Sequence, residues 1–448
     1  MTATKKNGHQ LDALAAFFDD GVYTKLYADE DGAVIAGYGT AEGCPAYALE
    51  QTGAALAGAD IDKMIRVMDL AAKTGNPVVT FYDSKGSVLT QGPGALVDAA
   101  KLVEAGARIS GVVPQIAVIL GVCGASQAMA AVAADVTVMA KDAELFLTAP
   151  FTSAAAGDKT AKAGSAELAA KDGIVELVYA SEEEAVSAAA NLVGILPGNN
   201  LSGSAVFDFT APAALATLAG QAGAAVAAAI ADEGNLVELY KDYAPGVFTA
   251  IATVAGNVAG FVAACGKDGA VNAAAAAKAA RFVRLCDAFG IPVITLVDTE
   301  GFAKSTANDV HGGLRAAARL AATYADATTA KIAVVAGQAV GAAYTAFCNA
   351  DLTIALDSAV IAPVDPKAAV TILWQDKLAS SDNLESDTAT LAQQYIAEYA
   401  GAAAAVKTGV ADLTATAASV RDTVVAAMEI LETKRVQRLP KKHGNLSL

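Results

Sequence analysis

The sequence predicts an α/β protein built from two copies of one unit, and an internal repeat is the main reason. Residues 75–86 align without gaps to residues 290–301, with six identities in twelve positions. Because the matches include glycine, proline and aspartate, the alanine-rich composition does not explain them, and duplication does. The length is consistent with two copies, since 448 residues with a 54% apolar composition can fill the cores of two domains. Two further pairs keep the same order and nearly the same offset: 115–121 with 331–337, and 134–138 with 350–354.

Each copy alternates helix-like and β-rich segments, which is the pattern of an α/β unit. A helix comes first, and a short β-rich run that ends at an aspartate and a glycine follows it. A second helix, a second β-rich run, a glycine-containing turn and a helix of small residues complete the copy. In the second copy the predicted segments are helix 273–289, strand 293–297, helix 312–324 and strand 332–335.

The domain boundary is predicted between residues 196 and 230. Residues 196–203 read LPGNNLSG, which is a clear turn and linker signal. We therefore expect an N-terminal domain over residues 1–205 and a C-terminal domain over residues 206–448. Segment 211–231 is low in complexity, and no structure is predicted for it.

Composition excludes several classes of function. A formal net charge of −16 argues against sequence-independent binding of nucleic acid or anionic lipid, because either partner requires a basic surface. The five cysteines are widely scattered and form no C-x-x-C pair, so neither disulfides nor a zinc site is indicated. The N-terminus carries no apolar export signal, and a reducing cytoplasm is the expected location.

A membrane protein is the strongest rival interpretation from composition. Windows 109–134 and 244–266 contain no charged residue over a length that could span a bilayer. Proline, glutamine, asparagine and glycine interrupt them, however, and much of their apolar character comes from alanine, which has little hydrophobic area. Strands buried between helices also read as continuous apolar runs. We therefore expect buried strands in these windows.

The candidate sites are two glycine-containing turns, at residues 121–128 and 337–344, each after the second β-rich run of its copy. Small side chains at the start of a helix let backbone N–H groups approach a ligand, and the helix end adds partial positive charge. Such a turn can hold an oxyanion. Tight packing of a strand against a helix is the alternative explanation for one turn, and recurrence in both copies favours a functional role.

Other chemistry finds less support. The three histidines, His9, His311 and His443, have no partner at metal-ligand spacing, so no metal is predicted. No G-x-S-x-G elbow or P-loop is present, which disfavours a serine hydrolase or a nucleotide kinase. Asp83 and Asp298 end equivalent strands, where hydrogen bonds to the backbone are a more probable role than general-base catalysis.

Several sequence blocks together resemble the carboxyltransferase subunits of biotin-dependent enzymes that act on acyl-CoA thioesters, of the methylmalonyl-CoA decarboxylase alpha and propionyl-CoA carboxylase beta type. The likeness covers almost the whole chain. Each block is short, but their combination and order are specific. The blocks are GYGT at 37–40, VPQI at 113–116, LPGNN at 196–200, KAARFVRLCDAF at 278–289, VDTEGF at 297–302, GAAY at 341–344 and LPKKHGNLSL at 439–448.

The resemblance implies two tandem crotonase-like domains of ββα-spiral type. It implies that the N-terminal domain binds acyl-CoA, with the backbone N–H groups of Ala125 and Ser126 holding the thioester oxygen as an enolate forms. The C-terminal domain would hold the ureido oxygen of biotin. The matching positions there are Gly341, Ala342 and Ala343, while Gly124, Tyr344 and Thr345 are assigned to substrate binding.

The resemblance also implies partners. The chain has no biotinylation motif and no ATP-binding region, so biotin would arrive on a separate carrier protein. A sodium-pumping membrane subunit would accompany a decarboxylase, and a biotin carboxylase would accompany a carboxylase. The active site is expected between the N-terminal half of one subunit and the C-terminal half of another. The chain would therefore be a homo-oligomer, a dimer of such halves or a hexamer, attached to membranes only through partners.

The sequence departs from the family pattern in the first turn. Ala125 and Ser126 stand where relatives carry two glycines, Glu300 stands where proline is usual, and no arginine follows Gly86. Methylmalonyl-CoA is the expected substrate, with propionyl-CoA as its decarboxylated counterpart. A catalytically silent scaffold subunit is one alternative, and the altered first turn supports it. A biotin-independent crotonase-type enzyme is the other, but no paired glutamates adjoin either turn to act on water.

Overall fold

The computed structural model describes residues 11–27, 32–160, 162–442 and 444–445. His9, His443 and the last three residues of the C-terminal block, 446–448, lie outside these ranges. The chain divides into two compact units. Unit 1 consists of Met1–Ala205 and Tyr240–Tyr243, and unit 2 consists of Val206–Leu239 and Ala244–Leu448.

Unit 1 is a mixed sheet packed against helices. Its strands are β1 Tyr23–Leu26, β2 Val34–Ala41, β3 Cys44–Gln51, β4 Val78–Tyr82, β5 Gln115–Ile119, β6 Val122–Gly124, β7 Val136–Ala140, β8 Glu144–Phe146 and β9 Leu177–Tyr179. Its helices are α1 Ala13–Phe17, α2 Gly58–Thr74, α3 Gly94–Ile109, α4 Ser126–Val132, α5 Pro150–Ala155, α6 Ala166–Lys171 and α7 Glu182–Ile195.

The main sheet of unit 1 has the strand order β1-β2-β3-β4-β5-β7-β9. Strands β1 to β3 form antiparallel pairs, and every pairing from β3 to β9 is parallel. The central strands β4, β5 and β7 are buried along their whole length, which explains their continuous apolar sequence. Beside this sheet, β6 pairs in parallel with β8.

Unit 2 repeats this arrangement. Its strands are β10 Val237–Leu239, β11 Phe248–Val254, β12 Asn257–Cys265, β13 Val293–Thr299, β14 Lys331–Val340, β15 Leu352–Leu356, β16 Val360–Ala362 and β17 Leu413–Ala415. Its helices are α8 Gly223–Ala228, α9 Ala273–Ala288, α10 Thr306–Asn308, α11 Leu314–Asp326, α12 Ala342–Phe347, α13 Pro366–Leu373, α14 Gln375–Ala379, α15 Leu384–Tyr395, α16 Ala402–Lys407 and α17 Val420–Leu431.

The main sheet of unit 2 has the order β10-β11-β12-β13-β14-β15-β17, with the antiparallel pairs again at the start. Strand β14 runs through the positions that β5 and β6 occupy in unit 1, and its end pairs with β16 as β6 pairs with β8. The same strand order, the same change from antiparallel to parallel pairing and the same short side pairing therefore occur in both units. These shared features confirm the predicted duplication.

Most predicted segments of the second copy are present with shifted ends. Helix α9 covers almost all of the predicted 273–289, and β13 extends two residues beyond the predicted strand. Helix α11 begins and ends two residues later than predicted, because residues 309–313 form a separate π-type turn. Segment 211–231, for which no structure was predicted, contains α8.

The two charge-free windows fold into short elements. Window 244–266 forms the antiparallel hairpin of β11 and β12. Window 109–134 contains β5, β6 and α4. Throughout the described ranges, no helix combines the length and the apolar character that crossing a membrane requires.

Candidate active site

The first turn connects β6 to α4 in unit 1 and has an unusual backbone conformation. Ala125 has φ 52° and ψ −123°, a region that residues with a Cβ atom seldom adopt. Its N–H group donates a 2.9 Å hydrogen bond to the carbonyl oxygen of Phe146, at the end of β8. The side pairing of β6 with β8 thus holds the turn in place.

The second turn connects β14 to α12 in unit 2 and has the same conformation. Gly341 has φ 58° and ψ −127°. Its N–H group donates a 2.9 Å hydrogen bond to the carbonyl oxygen of Ala362, at the end of β16. Ala125 and Gly341 are therefore equivalent positions, which makes Ser126 equivalent to Ala342 and Gln127 equivalent to Ala343.

This geometry corrects the predicted donors. The N–H group of Ala125 was expected to hold the thioester oxygen, and Gly341 was expected to contribute to the second site, but the N–H of each residue is already bonded to a strand carbonyl. The first N–H groups of a helix have no partner within that helix. The N–H groups without a partner in the helix therefore begin one residue later, at Ser126 in unit 1 and at Ala342 in unit 2.

Both turns are anchored by an aspartate from the neighbouring strand end. The Asp83 carboxylate accepts a 2.9 Å hydrogen bond from the N–H of Val122 in unit 1. In unit 2 the Asp298 carboxylate accepts a 2.8 Å bond from the N–H of Gln338. These bonds confirm that both aspartates accept hydrogen bonds from the backbone. The donors lie 39 and 40 residues further along the chain and not in the turns that contain the aspartates.

The glycines that open the two turns make room for these carboxylates. A Cβ atom on Gly121 would lie 2.2 Å from the Asp83 carboxyl group, and one on Gly337 would lie 2.1 Å from that of Asp298. Such distances are far inside van der Waals contact, so neither position accepts a side chain without displacing the aspartate. The glycine shared by the two turns, at positions 121 and 337, is therefore explained by close approach.

The residues assigned to substrate binding lie on the same turns. Gly124 ends β6, and a Cβ atom there would lie 2.4 Å from the Phe146 ring. Thr345 is exposed on α12. The Tyr344 hydroxyl donates a 2.9 Å hydrogen bond to the Val410 carbonyl oxygen, and burial raises the pKa of this phenol. Tyr344 thus stays protonated and is anchored within unit 2.

The cysteine of the first turn is not an activated nucleophile. Cys123 lies on β6 and is completely buried. Burial, with a further contribution from the negative charge of Asp83, raises the pKa of its thiol well above the ordinary range. Because the thiolate is the reactive form of cysteine, this residue is inert at neutral pH. The chemistry of the turn therefore rests on hydrogen-bond donors.

A cavity of about 570 Å³ lies beside the second turn, within unit 2. Gln338, three residues before Gly341, lines it. The residue that replaces the usual proline, Glu300, also lines it and forms an exposed 2.8 Å ion pair with Lys304. Exposed pairs of this kind add little stability. Further lining residues are Lys267, Asp298, Gly301 and Phe302.

Two buried glutamines in unit 1 were not identified from the sequence. Gln51 ends β3, and its Nε2 donates a 2.9 Å hydrogen bond to Oε1 of Gln127 on α4. The residues are 76 positions apart, and neither lies in a motif that indicates a polar pair. One feature of the sequence could have indicated this pair. Gln127 lies among small residues, at the position where the second copy has Ala343.

Replacing Ala125 with glycine is expected to stabilise the protein by about 1 kcal/mol, because it removes the strain of a Cβ atom in this backbone region. Glycine also gives the unfolded chain more conformational entropy, and this effect cancels only part of the gain in stability. Urea unfolding of the Ala125→Gly variant measures this. Ala389→Gly is the control, since Ala389 is exposed within α15 and the change there should destabilise by about 1 kcal/mol. Equal destabilisation by both changes would contradict the assigned strain.

Comparison with known proteins shows where this arrangement recurs. The sequence matches the carboxyl transferase domain over residues 14–446. It is 32% identical over 445 residues to the methylmalonyl-CoA carboxyltransferase 12S subunit of Propionibacterium freudenreichii subsp. shermanii, which covers 94% of this chain and 85% of the relative. It is 30% identical over 441 residues to the methylmalonyl-CoA decarboxylase subunit alpha of Veillonella parvula, with 93% of this chain and 85% of the relative covered.

A solved structure gives the same result. The chain superimposes on the transcarboxylase 12S crystal structure, described as a hexamer with hydrolysed methylmalonyl-coenzyme A bound, with a TM-score of 0.89. The sequences are 28% identical, and the match covers 97% of this chain and 92% of the other.

Proposed function

The chain belongs to the carboxyl transferase family, and from that premise we propose that it transfers a carboxyl group between a malonyl-type acyl-CoA and biotin on a separate carrier protein. The best candidate pair is methylmalonyl-CoA and propionyl-CoA, which the names of the relatives suggest. One observation carries the proposal, namely that the same donor-presenting turn occurs once in each unit. Carboxyl transfer has two reactants, the acyl-CoA and biotin, and each develops negative charge on an oxygen that hydrogen-bond donors must stabilise.

The family and the fold expected from the sequence blocks are confirmed. The match to the carboxyl transferase domain covers almost the whole chain. The fold class, two tandem crotonase-like units, is confirmed by the repeated topology and by the similarity to the transcarboxylase structure. The assignment as a carboxyltransferase is confirmed with it.

In the proposed mechanism the N–H groups of Ser126 and Gln127 in unit 1 hold the thioester oxygen of the acyl-CoA. When the carboxyl group leaves the α-carbon, the electron pair of the broken C–C bond passes into an enolate, and the negative charge moves to that oxygen. Fixed N–H donors stabilise such a charge without reorganising, which lowers the barrier. Ala125 shapes the turn and contributes no free donor, because its N–H is bonded to Phe146, and Gly124 leaves room for the Phe146 ring.

Unit 2 offers a site that suits the ureido group of biotin. The N–H groups of Ala342 and Ala343 would hold the ureido oxygen, and the cavity that Gln338 lines near the start of this turn has room for a small bicyclic group. Biotin would supply a ring nitrogen that carries the carboxyl group. The absence of bulky side chains at Gly341, Ala342 and Ala343 leaves these donors accessible, and Tyr344 and Thr345 would border the bound groups.

Partners set the direction of the reaction. A carrier protein that bears biotin is required in either direction. A sodium-pumping membrane subunit would accept the carboxyl group in a decarboxylase, and a biotin carboxylase would provide it in a carboxylase. We also propose a homo-oligomer in which unit 1 of one subunit and unit 2 of another form an active site, and the hexamer named for the transcarboxylase structure supports assembly.

The altered first turn does not favour a silent scaffold subunit. Ala125 takes the conformation of Gly341 to within a few degrees in φ and ψ, so the turn keeps its shape without the glycine. The donors of Ser126 and Gln127 therefore keep the arrangement that the second turn has. This observation supports an active enzyme.

The direct test incubates the purified chain with free biotin and malonyl-CoA, methylmalonyl-CoA or glutaconyl-CoA, and follows loss of the CoA carboxylate. We expect biotin-dependent turnover, fastest with methylmalonyl-CoA. The same reactions without biotin are the control. Binding of these thioesters without any biotin-dependent turnover would overturn the proposed activity and support the scaffold interpretation.

A further inference from the structure

Unit 1 contains a buried polar pair whose hydrogen bonds are incomplete. Gln51 has 0% of its surface exposed and Gln127 has 6%. Oε1 of Gln51 is buried and has no hydrogen-bond partner in the described chain. Leaving a buried polar group unpaired costs about 1 to 3 kcal/mol, so such a group calls for an explanation.

The pair is not required by the fold. Strand pairing places Glu50 opposite Phe81 in unit 1 and Ala263 opposite Leu296 in unit 2, which makes the next residues, Gln51 and Ala264, equivalent. The equivalent of Gln127 is Ala343, and both alanines are completely buried. The second unit therefore forms the same strand end, turn and helix with apolar residues at both positions.

The pair also has a hydrogen-bond donor at the first turn, the Nε2 of Gln127. Gln127 accepts from Gln51 through its Oε1, and among the described residues this is the one hydrogen bond of its side chain. Its Nε2 is left over, directly after Ser126 and within the site proposed for the thioester. An amide N–H2 on a residue that is 6% exposed, next to Ser126, matches an anionic acceptor on the substrate.

We propose that Gln127 is the specificity-determining residue that binds the free carboxylate of a malonyl-type acyl-CoA, and that Gln51 positions it. This inference rests on the proposed function. A neutral carboxamide suits the reaction because it orients the carboxylate by hydrogen bonding without the strong stabilisation of an ion pair. A cation here would hold the ground state tightly and oppose loss of the carboxyl group.

Two substitutions separate the donor from the packing. Gln127→Met keeps the volume of the side chain and removes the N–H2 group. Gln127→Glu keeps an oxygen for the Nε2 of Gln51 but puts a negative acceptor in place of the donor. Gln115→Met is the matched control, because Gln115 is 7% exposed, lies in the same unit and begins β5 at the end away from the turn.

The experiment measures the dissociation constants of methylmalonyl-CoA and propionyl-CoA by calorimetry on the full chain. We expect the preference of the wild type for methylmalonyl-CoA to fall about ten- to a hundredfold in Gln127→Met, the range for a hydrogen bond to a charged group. In Gln127→Glu we expect propionyl-CoA to bind more tightly than methylmalonyl-CoA. Gln115→Met should leave the ratio unchanged.

Binding ratios distinguish this inference from the proposed activity. A ratio that stays within twofold of the wild type in both Gln127 variants would overturn the role of Gln127, even if carboxyl transfer proceeds. A wild type that prefers methylmalonyl-CoA but transfers nothing to biotin would overturn the activity and leave the binding role supported. Equal binding of both thioesters by the wild type would overturn the inference directly.

Discussion

Replacing Gly341 with proline is expected to lower carboxyl transfer about a thousandfold and to leave acyl-CoA affinity nearly unchanged. Proline holds φ near −65°, whereas Gly341 has φ 58°, and proline lacks the N–H that bonds to Ala362. The turn must therefore change shape, and the donors of Ala342 and Ala343 lose their alignment. Loss of one such donor typically lowers the rate about 10²- to 10³-fold. Initial rates with methylmalonyl-CoA and biotin measure the effect, and calorimetry measures CoA binding.

The control for this change is Gly341→Ala. The conformation of Ala125 shows that alanine can occupy this backbone region, and alanine keeps the N–H that bonds to Ala362. We expect transfer within about tenfold of the wild type, with the loss limited to strain in the turn. Transfer that survives Gly341→Pro would show that the second turn does not hold biotin.

Replacing Gly121 with alanine is expected to destabilise unit 1 by about 3 to 5 kcal/mol. The new methyl group would lie 2.2 Å from the Asp83 carboxyl group, which must move and release the N–H of Val122. Overpacking of a filled core and a broken bond to a buried carboxylate both contribute. Thermal and urea unfolding measure the change, and acyl-CoA binding should weaken with it because the first turn loses its anchor.

Two companion variants test this reasoning. Gly337→Ala should have a similar effect in unit 2, since its Cβ atom would lie 2.1 Å from the Asp298 carboxyl group. Gly94→Ala, at the exposed start of α3 with no atom near the added methyl group, should be neutral or slightly stabilising. If Gly121→Ala resembled Gly94→Ala, the anchoring role of Asp83 would be wrong.

The duplication could be predicted because it depends on residues with strong backbone requirements. The aligned glycines of the turns lie against carboxylates, and the aligned aspartates accept backbone hydrogen bonds. Their identities survive in both copies because nothing else fits there. The strand segments were also recognisable, since strands buried on both faces have continuous apolar sequences.

The donor assignment could not be predicted in full, because it depends on pairing between distant strands. Whether the N–H of Ala125 is free is decided by β8, twenty residues downstream, whose Phe146 carbonyl oxygen accepts it. The sequence of the turn contains no sign of this partner. The N–H groups one position further along could be predicted better, because the first N–H groups of a helix have no partner within that helix.

The glutamine pair was missed for a related reason. A single glutamine within a segment of small residues is ordinarily a surface residue, and Gln51 lies at the end of an apolar strand. Their proximity is set by the tertiary structure of unit 1, which brings α4 within hydrogen-bond distance of the end of β3.

Asp83 and Asp298 anchor the two turns from neighbouring strand ends, outside the turns themselves. The sheet therefore fixes the backbone conformation of each turn. The identities of the two or three residues after the turn can differ between the two units without changing that conformation. After duplication, one unit could therefore become specific for a thioester and the other for biotin while both kept the same fold. By the same logic, grafting residues 341–343 onto positions 125–127 would give an engineer a new binding specificity on an intact frame.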